Sequence, residues 1–188
     1  SKEQRTLVYS RATAVPDEIP FGTTLDVMAP GYQWMNQSLA PTHLPSHDFR
    51  IEIGGKDCKQ KYSASIFNIS AMSFGSLSAN AVMALNLGAK KGGFAHDTGE
   101  GSISQYHRVH GGDLIWEIGS GYFGCRNPDG SFNAEKYTEN ALDPQVKMIE
   151  IKLSQGAKPG HGGILPGSKV TAEIAAARGV KEGEACIS

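Results

Sequence analysis

Four short apolar runs in this chain each empty into a glycine loop, and no other feature restricts its fold as strongly. They are ISAMSFG from Ile69, GFAHDTGEG from Gly93, IWEIGSGYFG from Ile115, and the strand-like MIEIKL that leads into KLSQGAKPGHGGILPGSKV from Lys152. The last loop holds five glycines, two prolines, three lysines and one histidine. A rigid element that delivers a flexible, charged loop is how sites are commonly built. Helical patterns lie between the runs. Ser78 stands at an N-cap position before Ala81, Val82, Leu85 and Leu87, and Gly92-Gly93 stops that helix. Asn133 caps a second over Ala134, Tyr137 and Ala141, and a further helix covers Thr171 to Arg178 before Gly179. Strands are expected over Ile66 to Phe74, from Phe94, over Ile115 to Ile118 and over Lys147 to Leu153. Repeated β-α units predict an α/β fold with a parallel sheet, open or closed into a barrel, with ligands at the carboxyl ends of the strands.

The N-terminal third is different. Of the 23 glycines nearly all follow Gly54, which divides the chain into residues 1–65 and a glycine-looped body over 66–188. Residues 1–20 read as a short polar helix with Leu7 and Val8 as its apolar positions, ended by Pro16 and Pro20. Phe21 to Pro45 lacks periodicity and is expected to be an extended arm anchored by Tyr32 and Trp34. Phe49 to Ile53 alternates as a half-buried strand would, and Gly54-Gly55 ends it as a turn.

Charge and cysteine usage remove several functions. A net charge of -1 without a basic cluster speaks against nucleic acid. Cys58, Cys125 and Cys186 are dispersed and form neither a disulfide framework nor a metal-binding spacing. A reducing, cytoplasmic setting is expected, with membrane anchoring upstream of Ser1 left open. Gly119-Ser-Gly-Tyr-Phe-Gly124 has dinucleotide-fingerprint spacing, but Asn127-Pro-Asp-Gly130 turns the chain where that motif requires a helix. Gly160-His-Gly-Gly163 lacks the ending of a phosphate loop. His107 and His110 lack the spacing of a zinc-binding helix, and no metal is expected. Alternation after Ile151 places Lys152 near a strand end, where a buried ammonium needs Glu150, Glu100 or a ligand to compensate it.

Ala71-Met-Ser-Phe-Gly75, Asp97-Thr-Gly-Glu-Gly101, Ser120-Gly-Tyr-Phe-Gly124, Ile151-Lys-Leu-Ser-Gln-Gly-Ala-Lys-Pro-Gly160 and Leu165-Pro-Gly167, in that order, resemble the FMN-binding synthase domain of the glutamate synthase family. The resemblance implies the first four or so β-α units of a TIM (β/α)8 barrel, preceded by an N-terminal helix, arm and strand packing on it. It also implies FMN as cofactor and reduction of the imine of 2-oxoglutarate and ammonia to L-glutamate. Carried across by motif, Ala71, Met72, Ser73, Thr98, Lys152 and Gln155 would meet the flavin. Glu100, Lys158 and Arg178 would handle the 2-oxo acid, and Lys152, Lys158 and Glu100 would act in catalysis. The electron donor is unknown, and the rest of the barrel, or self-association, would complete the fold. The chain departs from the family pattern at His161-Gly-Gly-Ile164, where Glu-Gly-Gly-Gln is usual, and at Asp97, where Asn is usual. Those departures leave a non-catalytic flavin-fold or redox-partner module, or an enzyme for a different 2-oxo or 2-amino acid, as alternatives.

Overall fold

The computed structural model describes residues 5, 8, 9, 12, 13, 25–46, 48–153, 155 and 163–187, in two units, Ser1–Pro45 and Ser46–Ser188. In the first unit Arg5, Val8, Tyr9 and Ala12 are helical. Both the backbone N–H and the hydroxyl of Thr13 donate to the Tyr9 carbonyl there, at 3.0 and 2.7 Å. Leu7, Pro16 and Pro20 lie outside the described residues. From Tyr32 to Leu39 the arm has no regular structure, and Tyr32 packs on Trp34 with ring centroids 5.7 Å apart.

The second unit opens with an antiparallel hairpin, β1 (Arg50–Ile53) against β2 (Tyr62–Ser65), in the register Arg50↔Ser65 to Ile53↔Tyr62. This corrects the half-buried strand expected from F-R-I-E-I. Every residue of β1 is exposed, and only Ala64 of β2 is buried. Alternation is therefore real but covers no core. Polar links hold the hairpin to the rest of the unit: the Arg50 guanidinium donates to the Gly93 carbonyl at 2.6 Å, and the Tyr62 hydroxyl to Asp113 Oδ2 at 2.9 Å.

The centre is a parallel sheet in chain order, β3 (His96–Asp97), β4 (Leu114–Ile118) and β5 (Val146–Ile151). Ile69 adds a single parallel bridge to His96. The strand expected over Ile66 to Phe74 is thus reduced to isolated bridges at Ile69 and Phe74. Asn68 explains part of this: its side-chain Oδ1 accepts the Ala95 N–H at 3.0 Å, a bond that a neighbouring backbone carbonyl would otherwise make. The polar stretch after Ser102 contains the four-residue helix α2 (Gln105–Arg108).

The longer connections follow the sequence closely. Helix α1 (Ala79–Gly92) starts where the Ser78 hydroxyl accepts the Ala81 N–H at 3.3 Å and ends at left-handed Gly93. Its buried stripe is Val82, Asn86 and Ala89, and Asn86 exchanges two hydrogen bonds with the Gly112 backbone. Asn133 caps α3 (Ala134–Ala141) by accepting the Lys136 N–H at 2.9 Å, and α4 (Ala172–Arg178) stops at left-handed Gly179. A two-stranded antiparallel piece, β6 (Ile164–Leu165) with β7 (Cys186–Ile187), brackets α4.

Alternation along β4 decides what each face of the sheet carries. Leu114, Trp116 and Ile118 point to one side and form a core with Cys125, Val146 and the half-buried Tyr137 of α3. A second core joins Phe74, Val82, Phe123 and Leu165 to Val170, Ile174 and Ala175 around α4. Asp97, Glu117 and Glu150 have carboxylate oxygens within 4.8 Å of one another. Among the described residues no helix is long and apolar enough to cross a membrane.

Between β3 and α2 two fully buried imidazoles face each other, His96 and His107, with ring centroids 5.2 Å apart. Neither nitrogen of His96 has a hydrogen-bonding partner, while His107 Nδ1 accepts the Ser104 N–H at 3.0 Å. Burial lowers His96 from 6.5 to about 4 and His107 to about 3, the latter also through the neighbouring imidazole. Both rings are neutral in the fold, so their contribution is intact above the unfolded value near 6.5 and is lost as pH falls toward the folded values. By pH 5 each imidazole should cost about 2 kcal/mol. The urea midpoint should therefore fall steeply between pH 7 and pH 5 and less steeply in His96→Gln; equal slopes would refute this assignment.

Candidate functional site

At the carboxyl ends of the strands lies an open pocket of about 280 Å³, toward the small end of ligand sites. Its walls come from the loop after Ile69 (Ala71, Met72, Ser73, Ser76, Leu77), the loop after β3 (Gly99, Glu100), Glu117 of β4, and Lys152 and Gln155 beyond β5. Gly163, Ile164, Leu165 and Arg178 complete it.

The first two loops meet because Gly99 allows it. With φ at +64°, a Cβ at that position would lie 2.6 Å from the Ser73 backbone nitrogen. The Ser73 hydroxyl then accepts the Gly101 N–H at 3.2 Å. Met72 and Ser73 are half-buried at the pocket wall, and Ala71 is exposed at its rim.

Lys152 follows β5 directly and is tied to β4 by its N–H, which donates to the Ile118 carbonyl at 2.9 Å. Its ammonium stands 3.7 Å from Glu100 Oε2 and 4.0 Å from Glu117 Oε1. Glu100 also accepts both hydrogen bonds from the Gln155 amide, at 3.0 and 2.9 Å. Of the compensating groups named from sequence, Glu100 is in place. Glu117 supplies the second carboxylate, and sequence reading passed over it. Its signal was there: one acid inside the apolar run I-W-E-I, where a charge is rare without a partner. Gly119 makes room for the arrangement, since a Cβ there would come within 2.5 Å of Glu100 Oε2. Burial raises the Glu117 carboxyl, and the adjacent Lys152 acts against that rise.

Arg178, at the end of α4, reaches the same pocket although it is only 5% exposed. One terminal nitrogen donates to the Phe74 carbonyl at 3.1 Å, and the guanidinium lies over the Phe123 ring at 5.1 Å. Its Nε is buried without a hydrogen-bonding partner. Burial lowers its pKa, which marks the charge as costly where it stands.

The structure thus gathers Ala71, Met72, Ser73, Glu100, Lys152, Gln155 and Arg178 at one opening. Thr98 is elsewhere: fully buried on the opposite side of the chain from Asp97, its hydroxyl donates to the Gly99 carbonyl at 2.8 Å and accepts the Glu117 N–H at 3.2 Å. It shapes the β3 end but does not line the pocket. Lys158 and His161 lie outside the described residues, and Ile164 is at the wall. Among the described residues His96, His107 and His110 do not gather with other ligating groups, and the one such group is Asp97, Glu117 and Glu150.

Removing the ammonium leaves Glu117 buried beside other carboxylates. Lys152→Met should lower stability by about 2 kcal/mol, below the range for fully buried pairs because Lys152 is partly solvated. Glu117→Gln in the same chain should recover most of it in a urea-denaturation cycle. Additive losses would show that the two groups do not interact.

Comparison with known proteins bears directly on this opening. The family described as the conserved region in glutamate synthase matches residues 39–188. The glutamate synthase large subunit-like protein YerD of Bacillus subtilis (strain 168) is 40% identical over 146 residues, covering 77% of this chain and 27% of that protein. The archaeal glutamate synthase [NADPH] of Methanocaldococcus jannaschii is 40% identical over 120 residues, covering 64% and 21%. A glutamate synthase large subunit-like protein of Rhizobium meliloti (strain 1021) is 31% identical over 138 residues, covering 72% and 28%. The chain spans about a quarter of the length of these curated relatives. The matched region takes in the parallel sheet, every wall of the pocket and the Lys152 ion pairs, and the chain belongs to the glutamate synthase family.

Proposed function

We propose that this chain forms the first half of an FMN-binding (β/α)8 barrel and takes part in reductive amination of a 2-oxo acid, in the manner of glutamate synthase. The observation that carries this reading is the Lys152 ammonium, fixed by two carboxylates at the mouth of a pocket whose walls include the loop after the Ile69 bridge and the ends of three successive parallel strands. The pocket chemistry fits a flavin. Ala71 and Met72 offer apolar surface to a flat ring, Lys152 a cation for its electron-rich edge, and the Gln155 amide a neutral donor. When bound, FMN supplies the hydride.

The chain's own residues bind, orient and balance charge. Arg178 lines the opening with a guanidinium that is already buried, so a carboxylate arriving there would meet a cation already desolvated. In this reading Lys158 takes the second carboxylate of 2-oxoglutarate, and Glu100, held by Gln155, orients the nitrogen that arrives as ammonia. Thr98 acts through the backbone at the β3 end. The names of several relatives include NADPH, which makes a nicotinamide-linked electron supply the first to assay.

The edge of the sheet supports the proposed remainder of the barrel. Ile151 is 70% and Leu153 92% exposed at β5 and just beyond it, apolar side chains on a strand whose outer edge has no strand partner among the described residues. Further barrel strands, or a second copy, are the proposed cover. A different 2-oxo or 2-amino acid is the second reading, because Ile164 places an apolar side chain at the wall where the family pattern has an amide.

FMN added to the chain co-expressed with the remaining half-barrel should give bound-flavin absorbance and quenched flavin fluorescence. Lys152→Met should weaken that binding about tenfold, the worth of one charge-assisted contact. Lys158→Ala should leave the absorbance and abolish glutamate formation from 2-oxoglutarate, ammonia and chemically reduced flavin. Colourless protein would refute the flavin reading; yellow protein without amination of any 2-oxo acid would make it a non-catalytic flavin-fold module.

A further inference from the structure

The carboxyls behind Lys152 form a layer of their own. Asp97 of β3, Glu117 of β4 and Glu150 of β5 present oxygens within 4.8 Å of one another, and Glu117 and Glu150 are direct register partners. Asp97 is 4% and Glu117 5% exposed, while Glu150 is exposed. Like carboxylates this close and this dry cannot all be ionised. The charged groups around them are few. Glu100 stands on the loop after β3 and Lys152 just beyond β5, and Lys152 reaches only Glu117 of the three within 4.0 Å. His96, next to Asp97 in sequence, is turned toward His107.

Within this layer the two buried acids differ. Asp97 Oδ1 accepts the Gly99 N–H at 2.8 Å, and burial, then the hydrogen bond with Glu150, raises its pKa well above the usual carboxylate range. Glu117 Oε1 is buried and receives no hydrogen bond from the protein. Among the described residues it pairs with the Lys152 ammonium, which also borders the pocket. The groups follow one another from the sheet face to the opening: Asp97 and Glu150, Glu117 within 4.8 Å of them, Lys152 at 4.0 Å from Glu117, Glu100 at 3.7 Å from Lys152, and Gln155 bonded to Glu100. Each gap is one that side-chain rotation or a single bridging water spans.

We propose that Asp97 and Glu150 hold one proton between them as a store for the pocket, and that Glu117 is the relay carboxyl that links this store to Lys152. Reduction of an imine consumes one hydride, delivered to carbon, and one proton, delivered to nitrogen. The hydride is outside this chain's side chains. The proton passes from Asp97 by way of Glu117 and Lys152 to the substrate nitrogen, leaving Asp97 ionised until solvent reprotonates it through the exposed Glu150. Its use in amination rests on the function proposed above; the stored proton does not.

Side-chain carboxyl-carbon NMR titration of the full 188-residue chain, without flavin, tests the store directly. One aspartate should titrate above the usual carboxylate range. That step should vanish in Asp97→Asn and move down in both Glu150→Gln and Glu117→Gln. All carboxyls titrating in the usual range in the unmodified chain, or an Asp97 step indifferent to both glutamine variants, would overturn the proposal. So would selective broadening of these three signals by Mn²⁺, which would make the cluster a cation site. In the flavin-loaded assembly, amination should fall with the same pH step, and Asp97→Asn should remove that step from the rate profile. A rate profile without the step, in active protein, refutes the delivery. Absence of flavin binding would refute the function proposed above and leave the NMR result standing.

Discussion

A cation fixed among carboxylates is the interaction on which this structure turns. Burying Glu117 and Asp97 on one face of a parallel sheet is costly, and the Lys152 ammonium offsets part of that cost where β5 ends. Because Lys152 is bonded through its N–H to Ile118, its side chain emerges at a height set by the β4–β5 register. Glu100 comes to the same point from the loop after β3. Three strands thus agree on one position, and the pocket forms around it.

The opposite face explains why that agreement is rigid. Leu114, Trp116 and Ile118 alternate with Ile115 and Glu117, so the strand that presents an acid to one side is locked on the other by a core with Cys125 and Val146. Around α4 a separate core carries Arg178 to the same opening, with Phe123 beneath its guanidinium. The guanidinium is buried against a backbone carbonyl, an aromatic face and a thiol, and the Glu100 carboxylate helps to hold its charge.

Much of this was legible in the sequence wherever a local rule decides the outcome. Ser78, Asn133 and the glycines at 93 and 179 mark helix ends because caps depend on a few adjacent residues. Strands β4 and β5 were legible as apolar runs. The pairing of β1 with β2 was not, because an eight-residue connection separates them and neither contributes much to a core. Helix α2 was hidden by its four-residue length, and β6–β7 by pairing across a whole helix. Lys152 and Glu100 were reachable from motif and charge compensation, but Glu117 required register: only the ladder shows that it stands beside Glu150 and under the lysine. Thr98 shows the converse, a residue assigned by motif whose side chain turns away from the opening.

Gly119 has a consequence for how this family can vary. The space where its side chain would stand is already filled by the carboxylate of Glu100, a residue 19 positions earlier on another strand's loop. Positions 100 and 119 therefore compete for one volume. A side chain at 119 would have to swing the Glu100 carboxylate aside, so a bulky residue there in a relative would report that its lysine has that anionic neighbour in a different place, whereas a shorter acid at 100 would leave 119 room to accept one.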